Sequence, residues 1–167
     1  MQLPIVISSF SREIKLLITL FLVVLSVGFY SGLFFVNTTS KMSVQGVQEN
    51  YLGNEIDENA TEMKFKKSER EMLSILHSHI LSMAMIFFFT GLLVSITSLK
   101  RRLKIVLMIE PFFSVLFTFG GIFLLWKGIL WMKYIVIFSG TLMVITYTLS
   151  VLSIFRDLYF SANFKNN

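Results

Sequence analysis

Hydrophobic positions in this chain come as long, nearly unbroken stretches rather than as amphipathic stripes. Four of them run from about Leu16 to Val36, Leu73 to Ser98, Ile105 to Trp126 and Ile129 to Phe155. A bilayer core of ~30 Å is crossed by about 20 helical residues, and each stretch meets that length. Strands of a membrane barrel would alternate apolar and polar positions over ~10 residues, and these stretches do not. The pattern predicts an all-α membrane protein: a four-helix transmembrane bundle that forms a single integral membrane domain over 1–167. Arg12 and Lys15 precede the first stretch, which is longer than the apolar part of a signal peptide and lacks a small-residue cleavage site, so it reads as a retained anchor.

Between the first two spans lies one polar extracytoplasmic segment, 37–72. Asn37 to Gln45 reads as a loop. Gly46 to Glu55, with two glycines and two asparagines, reads as a shaped turn. Ser68 followed by Glu71 predicts a capping box that starts the second span. So short a segment cannot bury a core of its own, so it is expected to pack as a lid on the bundle.

Composition agrees with the pattern. Of the 167 residues, 54% are hydrophobic and 15% charged, against about 25% charged in soluble domains. A water-soluble enzyme and a disordered chain are both excluded. With no cysteine, disulfides, thiolate metal sites and cysteine nucleophiles are excluded as well. Charge then predicts orientation. Arg12, Lys15, Lys100, Arg101, Arg102, Lys104, Arg156 and Lys165 all flank one side, whereas basic residues of the polar segment are offset by acidic ones. The positive-inside rule puts both termini in the cytoplasm of a multi-pass protein, expected in a bacterial inner membrane. There is no basic folded domain for nucleic acid.

Small residues spaced by four mark candidate packing faces in lipid: Gly28 and Gly32, then Ser74, Ser78 and Ser82, then Ser114, Thr118 and Gly121, then Thr146 and Ser150. One face per helix fits a compact bundle, and Gly28 with Gly32 could instead join two copies.

Candidate chemistry is sparse. No phosphate loop, zinc-protease helix or serine elbow occurs, so the chain is not read as an enzyme by itself. Both histidines, His77 and His79, begin the second span, about 200° apart on a regular helix. Ordinarily such groups are interfacial or bond a neighbouring helix. Met83 and Met72 share a rough helix face with His79, and Met132 starts the fourth span at similar depth. Imidazole with thioether suits Cu(I), or haem b with His/Met ligation. Phe87, Phe88, Phe89 and Trp131 are candidate walls. Methionine is also an ordinary gap filler, so the absence of any cofactor is an equal reading. Glu110, beside Pro111, is an intramembrane carboxyl, which calls for a partner. Arg156 or Lys15 is expected to pair with it, and a proton or ion relay is the functional alternative. Pro111 is expected to kink the helix or to begin its regular part.

Gly46, Asn50, Tyr51, Gly53, Asn54 and Glu55, then Met63 to Ser68, Glu71 to Leu73, His77-x-His79, Glu110-Pro111-Phe112 and Gly120-Gly121 form an ordered pattern over about Gly46 to Met143. It resembles a group of short four-span bacterial inner-membrane proteins found in respiratory and c-type cytochrome settings. The resemblance implies that the polar segment and the His-x-His turn act together, near redox partners. Three function classes follow: an accessory or redox-associated subunit binding haem or copper near the outer face; a cofactor-free structural or assembly subunit of a membrane complex; and a small ion- or proton-linked transporter. Expected partners are the lipid bilayer and other membrane subunits, or a second copy.

Overall fold

The computed structural model describes residues 6–55 and 62–160, so Lys165 lies outside it. A short 3₁₀ turn, Ile7–Ser9, precedes α1 (Arg12–Ser40), α2 (Val44–Leu52), α3 (Glu69–Ser95), α4 (Arg101–Trp126) and α5 (Met132–Tyr159). No strand occurs among the described residues. α1, α3, α4 and α5 are each long and apolar enough to cross a membrane. The chain is a multi-pass helical membrane protein. Helices of 26 to 29 residues reach about 39–44 Å at 1.5 Å per residue. That exceeds the ~30 Å apolar core; α1 overruns its apolar stretch by four residues at each end, whereas α3 stops at Ser95 and α5 starts at Met132, each three residues inside its stretch.

α4 is the inner helix: 44% of its most apolar window is buried, against 17% for α1 and 11% for α3. It packs between α3 and α5. Its small-residue stripe faces α5, where Thr118 and Ser139 share a hydrogen bond of 2.8 Å and Gly121 lies against Val136. Thr146 and Ser150 are buried on α5. α4 continues through the buried Pro111 and begins ten residues before it, so the proline does not start the helix.

α1 lies on α5 with few close backbone approaches. Hydroxyl pairs hold it there: Thr19 with Tyr159 at 2.6 Å, Ser26 with Tyr147 at 3.0 Å and Tyr30 with Thr148 at 2.8 Å. Gly28 and Gly32 have open space where a Cβ would stand, so they pack against nothing among the described residues. Bulky side chains meet instead, with Phe29 stacked on Tyr147 at 3.9 Å.

The two ends differ. At the cap end, α2 lies across α1, α4 and α5 with Val47 buried. The expected loop and turn of this segment are in fact mostly helical. Thr38 and Thr39 return their hydroxyls to the carbonyls of Phe34 and Phe35, so α1 carries its polar end out to Ser40. Lys41 and Met42, at φ 50° and 47°, turn the chain. Ser43 then caps α2 by accepting the Gly46 N–H at 2.9 Å. Lys64 donates to the Thr39 carbonyl and Lys133 to the Gln48 side chain, both at 2.8 Å. Asn54 pins the return segment through the Glu62 carbonyl and the Lys64 N–H. The Ser68–Glu71 capping box forms.

At the opposite, turn end, Ile7 is fully buried and donates its N–H to the Ile96 carbonyl at 2.9 Å. Lys104 caps α3 at the Ser95 carbonyl. Asp157 has no exposed surface; it accepts the Ser98 N–H and pairs with Arg156 at 3.1 Å.

Candidate functional site

The cap-end half of α3 gathers the polar side chains that the bundle leaves outside. Its apolar side, with Met72, Phe87 and Val94, enters the core. At 100° per residue, Ser74, His77, Ser78 and Ser82 share the opposite side, and all four are exposed. Their hydroxyls turn back on their own helix: Ser78 donates to the Ser74 carbonyl at 2.8 Å and Ser82 to the His79 carbonyl at 3.2 Å. The expectation of one small-residue face per helix inside the bundle therefore holds for α4 and α5 and not for α1 and α3. Phe29, Met72 and Phe87 bury more apolar surface than glycine or serine can, so those sides turn inward.

His79 is exposed between that stripe and α4: its ring is 5.3 Å from that of Phe119, and its Nδ1 is 3.3 Å from the Ser78 hydroxyl. Its Nδ1 lies 2.9 Å from the Ile75 carbonyl. A carbonyl can only accept, so Nδ1 is the donor in this bond. Carbonyl-anchored imidazoles of this kind are a common form of metal-ligating histidine. The other candidate ligands are not equally accessible. Met72 is fully buried, Met83 and Met132 are partly buried against the core, and His77 is exposed on the far side of the helix from His79. Among the described residues, no group of three or more His, Asp and Glu stands close enough to hold a metal ion.

Glu110 sits on the α4 face that continues through Ser114 and Thr118. Ser114 donates to one carboxyl oxygen; the other, Oε2, is buried without a hydrogen-bond partner among the described residues. The expected cross-helix ion pair is absent: among the described residues the sole ion pair is Arg156–Asp157. Arg156 has a carboxylate adjacent in sequence, so it does not reach for Glu110.

Sequence reasoning missed two clusters. One is the Asp157 anchor, for which an aspartate beside an arginine gave only a surface-pair signal. The other is Trp126, whose indole N–H donates to the Lys67 carbonyl at 2.8 Å while Lys66 and Lys127 stand over its ring. Its signal was a tryptophan ending an apolar stretch, followed at once by lysine.

A family model described as a transmembrane helical domain matches residues 41–165, beginning where α1 ends. Neither a curated protein nor a solved structure matches the chain.

Proposed function

The chain belongs to the Aq_1264_TM family of transmembrane helical domains, and we propose that it serves as an accessory subunit of a larger membrane assembly. The observation that carries this reading is the exposed side of α3 with Ser74, His77, Ser78 and Ser82. In lipid, small and hydroxylated residues let a second helix approach closely, and a polar imidazole bonds it there. Hydrocarbon offers His77 no partner, whereas a neighbouring helix does. Gly28 and Gly32, open on α1, provide a separate seat for a second copy. The basic run Lys100, Arg101, Arg102 and Lys104 at the turn end supports cytoplasmic termini, with the α2 cap outside, in a bacterial inner membrane.

The test is the size of the particle extracted from native membranes in mild detergent. Wild type is expected to run well above its 19.2 kDa monomer. The variant Ser78→Leu/Ser82→Leu, which breaks no hydrogen bond between helices among the described residues, is expected to fall towards the monomer. A monomeric wild type, or a double variant that keeps its full size, would refute the reading. Gly28→Leu/Gly32→Leu measures the α1 seat separately.

A second reading rests on the His79 imidazole, whose Nδ1 is held at the Ile75 carbonyl. Together with Met83, Met132 or a ligand from another subunit, it suits haem b or copper. Elemental analysis of purified protein decides: stoichiometric iron or copper lost on His79→Ala supports the cofactor. Folded, metal-free protein in the intact assembly would reject it and leave a cofactor-free subunit.

A further inference from the structure

Two lysines share one indole at the cap end. Lys127 Nζ stands 4.6 Å from the Trp126 ring centroid and Lys66 Nζ 5.3 Å from the same centroid. The two ammonium groups are therefore no more than about 10 Å apart. Lys66 and Lys127 are exposed, whereas Trp126 is buried and its N–H is tied to the Lys67 carbonyl. The ring is thus a fixed platform that gathers like charges which would otherwise separate. No described carboxylate lies within ion-pair distance of either ammonium. The nearby Glu71 is already held by Ser68, through its N–H at 2.8 Å and its hydroxyl at 2.7 Å, and Glu69 is exposed in the first turn of α3.

Depth identifies the missing anion. Phe65, next to Lys66, is 69% exposed and Trp131 is 58% exposed at the same end. Exposed aromatic side chains at span ends mark the headgroup layer. The anion abundant at that depth is a lipid phosphate, and an ammonium binds phosphate well as a point charge. We propose that Lys66 and Lys127, gathered on Trp126, bind the phosphodiester headgroup of an anionic phospholipid in the leaflet at the cap end. The site is independent of the α3 face and of any cofactor at His79.

Trp126 is also the reporter. The chain has two tryptophans, so Trp131→Phe leaves Trp126 alone. This variant is reconstituted in vesicles containing either brominated phosphatidylglycerol or equally brominated phosphatidylcholine. Half-maximal quenching is expected at a several-fold lower mole fraction of the anionic lipid. Adding Lys66→Gln and Lys127→Gln should make the two lipids equivalent, with helix content by circular dichroism unchanged. Millimolar inorganic phosphate should leave the preference intact. Equal quenching by both lipids in the Trp131→Phe protein overturns the proposal. So does a preference that survives loss of both lysines. Competition by inorganic phosphate would assign the site to a free anion and overturn the lipid.

Discussion

Ser26 on α1 and Tyr147 on α5 share a hydrogen bond of 3.0 Å, and Tyr147 has no exposed surface. The same phenol ring stacks on Phe29 at 3.9 Å. One side chain thus supplies a polar and an aromatic attachment at once to a helix that makes few close backbone approaches to α5. Tyr147→Phe keeps the stack and removes the hydroxyl. It is expected to cost about 0.6 kcal/mol, and at most about 1.7, as membrane hydrogen bonds do. Tyr147→Ala is expected to cost about 3–5 kcal/mol. Reversible unfolding in detergent mixtures measures both, and equal losses would show that the stack contributes nothing.

Glu110 and Ser114 give an asymmetric pair. One carboxyl oxygen is bonded and the other is buried without a partner among the described residues. Removing the whole carboxyl removes an unmet polar group, so Glu110→Leu should leave stability unchanged or raise it by about 1 kcal/mol. Ser114→Ala strips away the one hydrogen bond the carboxyl makes among the described residues and should cost about 1–3 kcal/mol. In the double variant the Ser114→Ala penalty should nearly vanish. Additive losses in unfolding experiments would contradict the pairing.

The cap depends on two glycines. A Cβ at Gly46 would stand 2.0 Å from the Ser40 carbonyl oxygen. Gly53 has φ +80°, and its Cβ would stand 2.8 Å from the Lys64 oxygen and the Lys66 nitrogen. Positive φ combined with the extended ψ of 173° at Gly53 costs an L-residue about 1–3 kcal/mol. Gly53→Ala should therefore open the 62–67 segment, with cleavage after Lys64, Lys66 and Lys67 by a lysine-specific protease rising roughly tenfold. Gly28→Ala, in open space, should leave that rate unchanged.

Asp157 ties the α3–α4 turn to the end of α5. Asp157→Ala leaves the Ser98 N–H without its acceptor and should destabilise by about 1–3 kcal/mol. Arg156, with its side chain 55% exposed, adds little to that figure. Asp157→Asn keeps an acceptor oxygen and should cost clearly less. Hydrogen exchange at Ser98 reports the loss directly: fast in the alanine variant, slow in the asparagine variant.

The four spans were legible in the sequence because a bilayer selects for continuous apolar length, and residues such as Leu16–Val36 and Ile129–Phe155 record that selection without reference to any neighbour. The Ser68–Glu71 cap was legible because its partners lie three residues apart on one turn. The α4 stripe of Ser114, Thr118 and Gly121 was read correctly as a packing face. The similar spacing at Gly28 and Gly32, and at Ser74, Ser78 and Ser82, was not decisive. Spacing shows which residues share a side of a helix but not which side the neighbours take. That choice fell to the larger side chains, Phe29 on α1 and Met72 and Phe87 on α3, which bury more surface when turned inward. For the same reason the outward histidine and serines of α3, the unmet oxygen of Glu110 and the two lysines on Trp126 emerge only when distant segments are brought together. Local sequence patterns determine helix length and ends, whereas the competition among four helices for one small core decides which polar groups are left facing outward.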